Sequence, residues 1–155
     1  MSRKIEDMDP AVQSKARAFI AELKARNISH TIVETKRTQI VQLAYWLQGR
    51  ADVSTVVRVR EAAGLPGVSE AEAKRIVTQL DGVTRLSRHQ TGHALDVVPT
   101  LPATGAPLWN TVRYATQYKA IAEVARRHGI TCGQDWPPLS PVTSMGWDPP
   151  HYEIT

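Results

Sequence analysis

The sequence has little cysteine and no long apolar segment, and these two shortages exclude several classes of protein. Cys132 is the only cysteine, so the chain can form neither an internal disulfide nor a zinc site built from thiolates, such as a finger or a ribbon. Because no run of roughly 18 apolar residues occurs, no transmembrane helix is expected. The first residues also lack the apolar stretch of a secretory signal, so we expect synthesis and folding in the cytoplasm.

The charge pattern excludes fewer kinds of binding partner. Nineteen Lys and Arg residues stand against 15 Asp and Glu residues, and the formal net charge of +4 is compatible with a polyanionic partner such as nucleic acid, a membrane surface or an acidic wall polymer. The basic residues are scattered, and none of the usual nucleic-acid-binding motifs is present. Charge alone therefore leaves the class of partner open.

The chain length and the apolar periodicity predict one domain over residues 1–155. Residues 30–35, a segment around residues 94–98 and the last few residues have the pattern of short strands. Helices separate these strands without a regular strand–helix alternation, which favours an α+β fold. We expect the helices over residues 10–26, 40–49, 54–63, 69–80 and 111–128.

Two short segments carry the residues of a candidate metal site. The pattern S-x-H-x-x-G-x-A-x-D begins at Ser87 and contains His89 and Asp96, and the pattern W-D-x-x-H-x-E begins at Trp147 and contains His151. A catalytic zinc ion takes three protein ligands of the His or carboxylate type and keeps a fourth position open for water. We therefore predict that His89, Asp96 and His151 are zinc ligands.

Asp148 stands three residues before His151 and would bring a second carboxylate to this site. A carboxylate beside the metal can act as a general base towards water, which is the remaining group that a zinc hydrolase needs. The alternative ligand is His93, four residues after His89, a spacing that zinc peptidases use on a helix. Gly92 and the β-branched residues that follow disfavour such a helix, so we predict that His93 is structural or faces the substrate.

The two motifs together resemble the zinc peptidases of the D-Ala-D-Ala carboxypeptidase and VanX group, specifically the short L-alanyl-D-glutamate endopeptidases that include phage endolysins. Residues 35–38, Gln42 and residues 48–50 also match this pattern, so the resemblance covers roughly residues 30–155. Residues 132–136 depart from it, because Cys-Gly-Gln-Asp-Trp stands where many relatives have Trp-Gly-Gly-Asp-Trp.

The resemblance assigns roles to the individual residues of the site. It implies a zinc ion on the three ligands named above, Asp148 as the general base and Arg37 as the cation that polarises the scissile carbonyl. Ser87 would orient the substrate, Trp147 would line the cleft, and Glu153 would hold a ligand from outside the metal's coordination sphere.

The fold that the resemblance implies is α+β, with helices packed on a small antiparallel sheet that carries the zinc site, as in DD-peptidases and hedgehog-like domains. The implied substrate is the stem peptide of bacterial peptidoglycan, cut between L-alanine and D-glutamate. Asp148 favours this reaction, because VanX-like dipeptidases have Glu at that position. We expect a monomeric endolysin that reaches the wall after membrane permeabilisation, with no nucleic-acid partner and no stable membrane insertion.

Two other functions fit the same motifs. A D,D-carboxypeptidase or dipeptidase would use the same metal site on a different bond. A non-catalytic module that binds the wall or a protein would keep the metal and lose the reaction, although Asp148 and Arg37 beside the ligands argue for catalysis.

Overall fold

The computed structural model describes residues 1–137, residue 146 and residues 148–155. The strands in these parts of the chain are β1 (His30–Glu34), β2 (Ala94–Pro99), β3 (Thr131–Cys132) and β4 (His151–Glu153). They form one small antiparallel sheet with the order β1-β2-β4-β3. The central strands β2 and β4 come from the two segments that contain the candidate ligands.

Helices of very different length surround this sheet. The longest, α1, starts where the sequence predicts, because the Asp9 side chain accepts a hydrogen bond from the Ala11 backbone N–H at 2.9 Å and Pro10 occupies the first turn. The helices are α1 (Pro10–Ala25), α2 (Gln39–Leu47), α3 (Val53–Ala62), α4 (Glu70–Ala73), α5 (Arg88–Thr91) and α6 (Ala115–Arg127). Short 3-10 turns occupy Ile5–Asp7 and Gly133–Asp135.

The main core lies between one face of the sheet and the two long helices, α1 and α6. Leu95 and Val97 of β2 and Tyr152 of β4 are fully buried there, against Phe19 of α1 and Ile121 of α6. Because successive strand residues point to opposite faces, Asp96 and His151 point away from this core. The core therefore fixes the strands from behind and leaves the other face to the candidate site.

The predicted α+β class, with helices on a small antiparallel sheet, is confirmed. Two predicted helices are shorter than expected. The helix that begins after Ser69 ends at Ala73 instead of near Leu80. The Ala73 carbonyl, which would accept from residue 77 in a longer helix, accepts a hydrogen bond from Gly49 N, and the Leu80 carbonyl accepts one from the Gln42 side chain. Helix α6 begins at Ala115, and residues 111–114 form turns. Within the described part of the chain, none of the helices is long and apolar enough to cross a bilayer.

Candidate metal centre

Asp96 and His151 are brought together by the pairing of the two central strands. In the antiparallel register of β2 with β4, Asp96 lies directly opposite His151. Side chains at opposed positions of such a pair stand about 5 Å apart at Cβ and on the same face. Two of the three predicted ligands are therefore placed by sheet hydrogen bonds, which resist displacement.

His89 comes from the short helix α5, whose two ends are closely defined. Ser87 and Gln90 form a capping box, in which the Ser87 hydroxyl accepts from Gln90 N and the Gln90 side chain accepts from Ser87 N. Gly92 ends the helix at a φ of 76°, a left-handed conformation that suits glycine. The helix therefore turns His89 towards the sheet and stops before His93.

The three predicted ligands converge on one point. His89 Nε2, His151 Nδ1 and Asp96 Oδ1 form a triangle in which each pair of atoms is 3.1 Å apart. Tetrahedral zinc with bonds of 2.0–2.1 Å requires neighbouring ligand atoms roughly 3.3 Å apart. The triangle thus matches one face of a zinc coordination tetrahedron, and these residues could hold a metal ion.

In each histidine, the ring nitrogen outside the triangle, called the outer nitrogen, lies beside a hydrogen-bond acceptor. This leaves the inner nitrogen, which belongs to the triangle, free to bind a metal. His89 Nδ1 lies 3.1 Å from the Thr35 carbonyl oxygen, and His151 Nε2 lies 3.3 Å from a Glu153 carboxylate oxygen. If these outer nitrogens carry the protons, both inner nitrogens present lone pairs beside the Asp96 oxygen. Three such atoms at 3.1 Å repel one another unless a cation lies between them, so the donor set fits zinc.

The electrostatics of His151 support the same conclusion. Burial lowers its pKa, but the hydrogen bonds to Asp96 and Glu153 outweigh burial and raise the pKa of His151 to about 9. Because a proton and a metal ion compete for the same Nδ1 lone pair, the site favours positive charge at this position, and metal binding releases the proton.

Asp148 lies on the wall of the same cleft, just before β4. Its backbone carbonyl accepts a hydrogen bond from His151 N at 3.1 Å, which ties the residue to the strand that carries the ligand. Burial, and then the negative charge of Asp96, raise the pKa of Asp148 to about 6. A carboxylate that titrates near neutrality can both accept and return a proton, as a general base must.

Arg37 lies in the cleft, with a partner that the sequence did not indicate. Its Nε donates to Glu34 at 2.8 Å, its Nη2 bonds the second carboxylate oxygen of Glu34, and its Nη1 donates to Gln42 Oε1 at 2.9 Å. Burial opposes the charge on the guanidinium, but the hydrogen bonds to Glu34 more than offset it, so the pKa of Arg37 is raised. The side chain is 12% exposed and lies 4.9 Å from the Tyr45 ring centre. It is therefore a fixed cation.

The cleft has a volume of about 830 Å³, within the usual range for ligand sites. Its walls include residues 77–80, Trp109 and Trp136. The N-terminus also contributes, which the sequence did not indicate, because Ser2 forms backbone hydrogen bonds with residues 35 and 36 and brings Arg3 to the rim. The described site thus draws on both halves of the chain.

The remaining predicted residues have varied surroundings. Ser87 caps α5 and lines the cleft, and Glu153 contacts both His151 and Arg88, the latter at 3.7 Å. His93 lies outside the triangle, with its Nδ1 3.1 Å from the Thr91 carbonyl. Trp147 lies outside the described residues. The roles predicted for these side chains stay predictions.

Known proteins resemble this arrangement in sequence and in fold. Residues 81–154, which contain the three converging side chains and Asp148, match the model of a family described as D-alanyl-D-alanine carboxypeptidase. This part of the chain, a little under half of its length, is similar to that family. The family resemblance seen in the two motifs is thereby confirmed. No curated protein matches the chain in sequence.

Solved structures of peptidases share the fold over almost the whole chain. The L-Ala D-Glu endopeptidase ChiX of Serratia marcescens is 24% identical, with 97% of this chain and 83% of ChiX covered and a TM-score of 0.50. VanYB in complex with D-alanine-D-alanine is 20% identical, with 95% and 71% covered and a TM-score of 0.55. A variant of the D,D-pentapeptidase VanY in complex with Zn(II) is 19% identical, with 95% and 72% covered and a TM-score of 0.50. At these identities the likeness establishes the fold.

Proposed function

We propose that this chain is a zinc-dependent peptidase that cuts the stem peptide of bacterial peptidoglycan between L-alanine and D-glutamate. The observation that carries the proposal is the triangle of His89, His151 and Asp96 atoms, with all three separations at 3.1 Å. When bound there, zinc would supply Lewis-acid activation of water and of the scissile carbonyl.

Asp148 is the proton-transfer group of this proposal. Its carboxylate accepts a proton from the attacking water and then donates it to the nitrogen of the leaving amine. Burial raises the pKa of Asp148 above its ordinary value, and a bound zinc ion would lower it again, so that the ionised base is available near neutral pH. The neighbouring glycine, Gly133, lets the Asp148 backbone approach closely, since a Cβ at Gly133 would lie 2.2 Å from the Asp148 carbonyl oxygen.

Arg37 is the group that stabilises negative charge on the substrate. Glu34 and Gln42 hold the guanidinium in place, and the Nη hydrogens that these two residues do not use are available to the oxygen of the scissile carbonyl. Positive charge that is fixed before the reaction stabilises a developing oxyanion without reorganisation.

The charge of the cleft rim suits an acidic peptide. Arg3 and Arg85 line the cleft and have no ion pair among the residues that the structure describes, while Arg88 pairs weakly with Glu153. A D-glutamate residue inside the stem peptide uses one carboxyl group in the amide bond to the next residue and keeps one carboxylate that these cations can bind. The ChiX structure, an L-Ala D-Glu endopeptidase, supports the choice of bond. A lytic role like that of phage endolysins is part of the proposal and rests on the motif resemblance.

A second candidate is a D,D-carboxypeptidase, favoured by the description of the matched family and by the D-alanine-D-alanine bound to VanYB. Mass spectrometry of the products that the zinc-loaded protein releases from purified peptidoglycan separates the two. New D-glutamate amino termini that disappear on chelation and return with zinc support the endopeptidase. Released terminal D-alanine supports the carboxypeptidase. The absence of any metal-dependent product would overturn both candidate functions.

A further inference from the structure

Gln42 is a fully buried polar residue whose side chain bridges two parts of the cleft. It lies on α2 and is 0% exposed. Its Oε1 accepts from Arg37 Nη1 at 2.9 Å, and its Nε2 donates to the Leu80 carbonyl oxygen at 2.7 Å and lies 3.4 Å from Thr78 Oγ1. Both ends of the amide are therefore used, one on the guanidinium and one on the cleft wall.

The chemistry of this position requires an amide. A carboxylate would accept from Arg37 but would lie against the Leu80 carbonyl without a proton to donate. An apolar side chain would leave both the guanidinium and the carbonyl without their partner, and a buried polar group without a partner is costly. Gln42 can hold the cation and the wall at once because its oxygen and its nitrogen are on the same carbon.

Arg37 depends on Gln42 for the part of its orientation that Glu34 does not fix. Glu34 binds the Nε and Nη2 edge of the guanidinium, and Gln42 binds Nη1. The wall segment of residues 78–80 has little regular structure of its own, so its hydrogen bonds to Gln42 help to determine its position. Arg37 and this wall segment line the same cleft.

We infer that Gln42 is a positioning residue that couples the orientation of Arg37 to the position of the substrate-binding wall at residues 78–80. The wall and the cation then act on the substrate as one unit. A shift of either by about 1 Å is enough to cost a factor of about 100 in rate. This inference rests on the proposed peptidase function for its kinetic consequence, while the geometric coupling can be measured independently.

The test compares Gln42→Met with Gln48→Met. Gln48 is a matched control, because it is also a buried glutamine, at the end of α2, and binds Arg60 and the Glu72 carbonyl but not Arg37. We expect Gln42→Met to lower kcat on a stem peptide by about 10-fold to 100-fold and to leave zinc content unchanged. Gln48→Met should raise KM with a much smaller change in kcat. Equal kcat losses in the two variants would overturn the inference.

Two further measurements separate positioning from a general loss of structure. In an Arg37→Lys background, Gln42→Met should lower kcat by less than about twofold, because the residue acts through the guanidinium. NMR hydrogen exchange at the Arg37 Nη1 hydrogens, the ones that Gln42 binds, should accelerate at least about tenfold in Gln42→Met. Full kinetic additivity, or unchanged exchange at Arg37, would overturn the coupling.

The exchange measurement also keeps the inference distinct from the proposed function. If the unaltered protein releases no metal-dependent product, the proposed function fails, and the Arg37 exchange rate still tests the coupling. If Gln42→Met does not fold, Gln42→Glu replaces it, since this variant keeps the acceptor for Arg37 and loses the donor to Leu80. Gln42→Glu should keep slow exchange at the Arg37 Nη1 hydrogens, because the acceptor remains, and should raise KM, because the wall loses its donor. A KM equal to that of the unaltered protein would overturn the inference.

Discussion

The sheet that carries Asp96 and His151 and the α2–α4 segment on the other side of the cleft are held in place by different interactions. Behind Asp96, the side chains of Leu95 and Val97 are fully buried in the main apolar core. Burial of this kind is non-directional and contributes roughly 25 cal/mol for each Å² of apolar surface. The two strands that carry Asp96 and His151 therefore owe their position to the core and to their backbone pairing.

The α2–α4 segment buries a few apolar side chains outside the main core and adds a network of buried polar side chains. Arg60 is only 8% exposed and donates to Gln48 Oε1 at 2.6 Å and to the Pro66 carbonyl oxygen at 3.2 and 2.9 Å. Gln48 in turn donates to the Glu72 carbonyl at 3.1 Å. These contacts are directional, and each buried group that loses its partner costs about 1–3 kcal/mol.

This difference separates the part of the site that would carry out the reaction from the part that would recognise the substrate. Chemistry needs ligands that hold one geometry, and a sheet on an apolar core supplies it. Substrate recognition needs a cleft wall of defined shape. A network of directional hydrogen bonds defines that shape, but a single substitution disturbs such a network easily. Substitutions in the two regions should therefore affect different kinetic constants.

The largest expected effect is the loss of turnover in Asp148→Ala. We expect kcat to fall by about 1,000-fold, because proton transfer loses its base, while zinc content is retained since the three ligands are untouched. Product release from peptidoglycan and metal analysis of the same sample check both points. Asp135→Ala is the control, because Asp135 is exposed and pairs with Arg126. A zinc-loaded Asp148→Ala protein with normal turnover would contradict the base assignment.

The sequence predicts well those features whose signals are local. The strand pattern around Asp96 and the capping-box spacing of Ser69 with Glu72 are both seen in the structure. The three side chains that converge are the three that the motifs single out, although their metal-binding role stays a prediction.

What the sequence could not predict depends on contacts between distant residues. The helix expected over residues 69–80 stops at Ala73, where Gly49, far away in the chain, donates to the carbonyl that would continue it. The pair of Arg37 with Glu34 is the exception, since Glu34 stands only three residues earlier, but its strand pattern gives no sign of an ion pair. Local periodicity does not contain such pairings.

The next largest effect is expected for Gly133→Ala, which adds a side chain beside Asp148 and His151. A Cβ at this position would lie 2.2 Å from the Asp148 carbonyl oxygen and 3.1 Å from His151 Cβ, so the backbone at Asp148 must move. We expect kcat/KM to fall about 100-fold and zinc affinity to weaken. Gly67→Ala is the matched control, because a Cβ there meets open space and should leave kinetics unchanged. Equal activity of the two variants would show that Asp148 tolerates displacement.

A smaller effect on catalysis is expected in the polar wall, from Arg60→Met. This change leaves Gln48 Oε1 and the Pro66 carbonyl without their donor, so the free energy of unfolding should fall by about 2–3 kcal/mol. We expect KM to rise severalfold with little change in kcat or in zinc content. Denaturant unfolding and steady-state kinetics measure these quantities. Arg58→Met, an exposed change on the same helix, should be close to neutral, and a large kcat loss in Arg60→Met would contradict the division between the two regions.

The smallest effects are expected when the serine that caps a short helix is replaced, once in each of the two regions. Ser69 caps α4 of the wall and Ser87 caps α5, which carries His89, and each serine accepts a hydrogen bond of 3.3 Å from the backbone N–H three residues later. Replacing either serine with alanine should lower the free energy of unfolding by about 1 kcal/mol. Only Ser87→Ala should also weaken zinc binding, by a few-fold in Kd from chelator competition, because α5 orients a ligand.

The pair of variants also tests the role that the motif implies for Ser87. If the hydroxyl serves only as a cap, Ser87→Ala should leave KM for the stem peptide unchanged once the protein is saturated with zinc. A rise in KM under saturating zinc, absent in Ser69→Ala, would show that Ser87 contacts the substrate as well, as its position on the cleft wall allows. Equal zinc affinity in both variants would instead show that the sheet alone is enough to organise the metal site.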